Sequence, residues 1–151
     1  MIRIITVGRK HEIWIADGLE RYQKRLKKPF DVEWILLPHS SLEGASARQE
    51  ESERILSRLG SDEFVVLLDE KGIQLSSPQL SKLLLDKLES SVKVTIIIGG
   101  AYGVNEALES RADVMWSLSH LVFPHQLVRL ILIEQLYRAQ EIARGGSYHH
   151  E

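Results

Sequence analysis

Val94-Thr95-Ile96-Ile97-Ile98-Gly99-Gly100-Ala101-Tyr102-Gly103 is an apolar run that empties into glycines. An apolar run without alternation marks a strand covered on both faces, as a parallel sheet flanked by helices requires. Phe64-Val65-Val66-Leu67-Leu68 reads the same way. Working outward, strands are expected over residues 2–7, 32–37, 64–68, 92–98 and 114–118, with helical patterns between them. Strand, helix, strand, helix in this order predicts an α/β sandwich with right-handed crossovers.

The first helix places Ile15, Leu19, Tyr22 and Leu26 on one stripe and ends before Pro29. A second, acid-rich helix over residues 46–59 offers only Ile55, Leu56 and Leu59 for strong burial, so it is expected to be peripheral, with Gly60 as its stop. A third begins at Ser77-Pro78 and presents Leu80, Leu83, Leu84 and Leu88. Asn105 caps a short fourth. The last, over residues 124–143, is apolar around most of its circumference through Val128, Ile131, Leu132, Leu136, Ala139 and Ile142. One sheet face cannot cover so much, which predicts a homodimer.

That last helix opens unusually. Pro124 suits the first helical position, which puts Phe123 at the N-cap with no side-chain acceptor for the free amides. The apolar loop Leu121-Val122-Phe123 leading into it can enclose the apolar body of a small molecule, while water or a distant side chain is the plainer partner for those amides. Gly99-Gly100-x-x-Gly103 at a strand end is a second ligand signal, because ligands in open α/β sheets collect beyond the carboxyl ends of strands. It is not the dinucleotide fingerprint, and a tight turn without a ligand explains the spacing equally well. Leu67-Leu68-Asp69-Glu70-Lys71-Gly72 ends another strand in the same manner. His125, in a first helical turn, is expected to be neutral and to make a structural hydrogen bond.

Composition narrows the function classes. The 151 residues suit one domain, with 1–151 read as a single unit. Cysteine is absent, which removes disulfides, thiolate chemistry and cysteine-based zinc sites. No run reaches membrane length, and the amino terminus reads as a strand and not a signal, so a soluble, cytoplasmic protein is expected. A net charge of −2 argues against electrostatic coating of nucleic acid. Residues 1–30 nevertheless hold eight Lys or Arg against three Asp or Glu, mostly in Arg21, Lys24, Arg25, Lys27 and Lys28. Such a cluster suits local phosphate contact or a plain solvated helix face. Glu134 and Arg138, four apart, form an ordinary helix ion pair. The tail Arg144-Gly145-Gly146-Ser147-Tyr148-His149-His150-Glu151 is either a loose end or a polar arm for a base or phosphate. Its adjacent histidines lack the spaced ligand set of a metal site, so no metal is expected.

Gly99-Gly100-x-x-Gly103, Trp116-Ser117-Leu118-Ser119, Phe123-Pro124-His125-Gln126-Leu127-Val128-Arg129, Glu134-Gln135-Leu136-Tyr137-Arg138-Ala139 and Tyr148-His149, in this order over the whole length, resemble the RlmH family. These are the SPOUT-class methyltransferases of pseudouridine N3 in large-subunit ribosomal RNA. The resemblance implies a parallel sheet whose carboxy-terminal part is threaded into a trefoil knot, and S-adenosylmethionine as cofactor. By motif, the cofactor contacts would be Leu68, Gly100, Ser119, His120, Leu121, Val122, Phe123 and Pro124. Arg138, Tyr148 and His149 would serve the base and its flanking phosphates, with His149 a proton acceptor.

The resemblance also implies a homodimer in which the tail of one subunit completes the site of the other, acting on ribosomal RNA in assembled ribosomes. His150 departs from the pattern, standing where many relatives carry Arg or Lys. A non-enzymatic ribosome-associated module, a SPOUT enzyme for another RNA position and another small nucleotide-binding α/β enzyme are the readings left open by the residues themselves.

Overall fold

Every residue of Val94–Ile98 is buried, and the strand takes the middle of the sheet. In the computed structural model, which describes residues 1–150, the elements are β1 (Ile2–Val7), α1 (Ile13–Gln23), β2 (Val32–Leu37), α2 (Gly44–Leu56), β3 (Phe64–Gln74), α3 (Ser77–Glu89), β4 (Val94–Ile98), α4 (Glu106–Arg111), β5 (Val114–Ser117) and α5 (His125–Ala143). The strand order is β2-β1-β4-β3-β5, and every neighbouring pair is parallel. Parallel strands need crossovers, and the helices that supply them cover both faces.

One face carries α1, α3 and α5. Ile2, Ile4, Val66, Val94 and Ile96 from the strands meet Ile15, Leu19, Leu80, Leu84, Leu132, Ile133 and Leu136 there. The other face carries α2 and α4, where Ile5, Val65, Leu67 and Ile97 meet Ile55 and Leu108. Each fully buried aliphatic side chain contributes about 1.5–3 kcal/mol, which makes this two-sided core the main stabilising term. Helix α5 lies between α1 and α3. Its approach to α1 depends on Gly18, where a Cβ would come within 2.9 Å of Leu130 Cδ1. Asn105 caps α4 as expected, accepting from the Leu108 amide, whereas the cap of α3 is Ser76, one residue before the expected Ser77, in a reciprocal capping box with Gln79.

Four expectations are corrected. Helix α1 ends at Gln23, and Leu26 reaches the core from the turn beyond it. Helix α2 ends at Leu56 with Ser57 as cap, so Gly60 is not its stop; Gly60 N instead donates to Glu63 Oε2. Nor is α2 merely peripheral: Ala47, Glu51, Ser52 and Ile55 are buried. Its polar members are held by backbone donors, Ser40 N on Glu51 Oε2 at 2.9 Å and Asn105 N on Ser52 Oγ at 2.9 Å. Finally, β3 does not stop at Leu68. Both Leu68 and Ile73 pair with Trp116, so residues 69–72 bulge out and the strand resumes.

That bulge presses on β5 at Gly72, where a Cβ would stand 2.5 Å from the Met115 carbonyl carbon and oxygen. Backbone cannot swing aside as a side chain does. Gly72→Ala is expected to cost about 1–3 kcal/mol, as overpacked sites do. Urea unfolding measures it, and an unchanged midpoint would show that the β3–β5 contact is loose.

Candidate functional site

The carboxyl ends of β3, β4 and β5 meet at a cleft of about 530 Å³, within the range of roughly 300–1,000 Å³ usual for small-molecule sites. The bulge brings Leu68, Asp69, Glu70 and Lys71; β4 brings Ile98 and the glycine turn; β5 and the loop after it bring Trp116, Leu118, Ser119, Leu121, Val122 and Phe123. Of the residues expected from sequence, Leu68, Gly100, Ser119, Leu121, Val122 and Phe123 line the cleft. His120 and Pro124 do not: His120 is exposed, and Pro124 is the N-cap of α5. The helix therefore starts one residue later than expected, with no side-chain cap. Ser119 shapes the loop twice, its carbonyl accepting from Ser117 Oγ and its hydroxyl from Leu121 N, both at 3.0 Å. The result holds Leu121 and Val122 71% and 81% exposed at the cleft wall. Apolar side chains held this way suit a bound molecule with an apolar body.

The glycine turn has reasons beyond flexibility. Gly103 N donates to Gly100 O at 3.1 Å and has φ +79°. At Gly100 a Cβ would stand 2.5 Å from the buried Glu51 Oε1. From below, His125 Nε2 donates to Gly99 O at 2.8 Å. Burial first, and then the Arg129 charge, hold the His125 pKa below its ordinary value. The imidazole is neutral at pH 7, as expected, and its donor ties the start of α5 to the turn.

Arg129 was missed as a structural residue. It is wholly buried, with Nη2 donating to Val7 O and Gly8 O at 3.1 and 3.3 Å, and Nη1 to Lys10 O at 3.0 Å and His11 Nδ1 at 3.1 Å. The signal was its spacing. Arg129, Leu132, Ile133, Leu136, Ala139 and Gln140 form the buried stripe of α5, while Val128, Ile131 and Ile142 are only half-buried. The two polar residues can be buried in that stripe because backbone groups meet them: Arg129 finds carbonyls, Gln140 Nε2 donates to Arg25 O and Gln140 Oε1 accepts from Lys27 N.

A second cluster sits near the far end of α5. Glu134 holds Arg138 through Nε at 2.9 Å, Arg138 Nη1 donates to His149 Nδ1 at 3.1 Å, and the guanidinium lies 4.8 Å from the centre of the Tyr148 ring. Tyr148 packs edge-on against Tyr137 at 4.8 Å. Its phenol pKa is pushed up by burial and by the Glu134 charge. The structure thus brings Arg138, Tyr148 and His149 together, folding the tail back onto α5. It does not bring them to the cleft, because Arg138 is ten residues beyond Val128, the α5 residue that lines it, about 15 Å along the helix. Among the described residues no group of His, Cys, Asp or Glu is placed to hold a metal, and no helix is long and apolar enough to cross a membrane.

The pH dependence follows from the histidines. His125 and His11 both have lowered pKa values, from burial and from Arg129. The unfolded chain therefore takes up protons that the fold refuses as pH falls below about 6.5, and stability drops there by up to about 1.4 kcal/mol per pH unit for each histidine. Above that pH the two states do not differ in these groups. Unfolding free energies at pH 7.5 and 5.5 measure the loss, and His125→Gln is expected to remove about half of it.

Comparison with known proteins agrees with this architecture. The family described as "Predicted SPOUT methyltransferase" matches residues 1–149. A protein of Leuconostoc citreum named ribosomal RNA large subunit methyltransferase H is 41% identical, with 98% of each chain covered. Proteins of the same name from Desulfitobacterium hafniense and Methylobacillus flagellatus are 38% and 37% identical, covering 98% and 99% of each chain. With a full-length family match, relatives above one-third identity and a parallel sheet open at its carboxyl edge, this chain belongs to the SPOUT methyltransferase family.

Proposed function

We propose that the protein methylates N3 of a pseudouridine in large-subunit ribosomal RNA of assembled ribosomes, using S-adenosylmethionine, and works in the cytoplasm as one SPOUT domain spanning residues 1–151. The observation that carries this reading is the convergence of three strand ends on one cleft with an apolar wall and a glycine floor. That cleft suits the cofactor: Leu68, Leu121, Val122 and Phe123 for the flat apolar body, Gly100 for close backbone approach, and the Ser119 loop for polar edges. His120 and Pro124 would act indirectly, by setting the course of that loop. The family and the meeting of residues 118–123 with the 69–72 bulge also support a carboxy-terminal trefoil knot.

When bound, the cofactor supplies an electrophilic methyl group. The chain's own work is to place the base in line with it and to accept the N3 proton. Arg138 and Tyr148 would hold the base and its flanking phosphates, and His149 would receive the proton. Since Arg138 stands about 15 Å along α5 from Val128 at the cleft of its own chain, the reading calls for a second copy that sets its tail at the first copy's cleft. The half-buried apolar side chains Val128, Ile131 and Ile142 on α5 support that association. A net charge of −2 fits an enzyme that recognises the shape of a ribosome instead of gripping free RNA.

Ribosomes lacking the modification, incubated with labelled cofactor and digested to nucleosides, are expected to yield 3-methylpseudouridine on mass spectrometry; methylation of another nucleoside would refute the assignment. His149→Ala and Gly100→Val are each expected to abolish transfer, the first with cofactor affinity kept, the second with it lost. Mixing the two and letting subunits exchange should restore roughly a quarter of normal activity, one intact composite site in half of the dimers. No recovery would mean that each chain supplies its whole site.

A further inference from the structure

The cleft is chemically two-sided. From the α5 side it is lined by Phe123 and Val128, and from the α2 and α4 side by Arg48 and Glu109. Arg48, Lys71 and Glu109 also line a neighbouring depression, so they gather at the end of the cleft away from α5. Lys71 faces Glu109 at 3.8 Å across exposed surface, a pair that contributes little. Arg48 is different. It is half-buried at the cleft wall, and among the described residues its guanidinium has neither an ion pair nor a hydrogen bond to the chain. Glu51, one turn on, is turned instead to Ser40. A guanidinium that lines a cleft without an anionic partner is free to take one there.

We propose that Arg48 binds the α-carboxylate of the cofactor's amino-acid head, with the acidic rim of Asp69, Glu70 and Glu109 suited to its α-ammonium. The assignment rests on the reading of the cleft as the S-adenosylmethionine site. It is supported by the match of polarity: an apolar half for the nucleoside, and a half bearing both signs of charge for a zwitterion. Planar, multiply donating guanidinium is well suited to a carboxylate, and its net gain is largest where water is already excluded. An RNA phosphate is the other source of an oxyanion at this place, and it makes a different forecast.

Calorimetry with two probes separates them: S-adenosylhomocysteine, which has the amino-acid head, and 5′-methylthioadenosine, which lacks it. Wild type is expected to prefer the first, and Arg48→Ala to weaken it about tenfold while leaving the second within about twofold, with Arg48→Lys in between. Equal weakening of both probes would mean that Arg48 only shapes the pocket, and would overturn the assignment. Unchanged affinity for both, with a raised KM for ribosomes, would transfer Arg48 to the RNA and overturn it as well. Wild type binding neither probe would bring down the cofactor reading itself, an outcome distinct from the other two.

Discussion

A single buried guanidinium holds the functional end of this molecule together. Arg129 has no hydrogen-bonded carboxylate; it is dissolved in the carbonyls of Val7, Gly8 and Lys10 and the ring nitrogen of His11. Burying such a charge costs several kcal/mol, which four charge-assisted bonds of about 1.5–3 kcal/mol each can offset. Those acceptors come from the end of β1 and the loop after it, so the bonds pin α5 to the central strands. The packing is tight enough to require Gly8, where a Cβ would stand 2.8 Å from Arg129 Nη2.

The consequences run outward from that pin. One turn before Arg129, His125 reaches the carbonyl of Gly99, and burial beside a fixed positive charge keeps its imidazole neutral. The glycine turn is then held from two sides, by His125 at Gly99 and by the Glu51 carboxylate packed against Gly100. Its shape is set before any ligand arrives, which is how a small site gains affinity without ordering itself on binding. The loop before α5 inherits its position from the same anchor and places Leu121 and Val122 at the cleft wall.

A straight helix has a second effect, on assembly. Because α5 carries Arg129 and His125 at one end and Arg138 with its tail partners at the other, no motion short of breaking the helix unites the two groups within one chain. Glu134 keeps Arg138 in place while Tyr148 and His149 pack on it, so the second group is also formed in advance. Under the proposed function, these two preformed groups on one helix are the halves that two copies would share.

Much of the fold was legible because burial writes directly into residue type. The unbroken aliphatic runs of β3 and β4 read as strands covered on both faces, and the Asn105 cap carries its own acceptor, while the cap of α3 fell one residue from the expected Ser77. Six of the eight cofactor positions carried over by family motifs line the cleft. What patterns could not supply was every feature set by partners far along the chain. Arg129 and Gln140 look like surface residues until the carbonyls of β1 and of the turn after α1 are brought to them. The bulge at 69–72 exists because Trp116 pairs on both sides of it, and Arg48 becomes notable only when the cleft is seen to end at its side chain. The sequence by itself determined which segments are strands and helices and which faces are apolar, since those follow from local periodicity. Only the tertiary structure decided which polar groups could be buried and how the strand ends meet, because both depend on partners far along the chain that no local pattern encodes.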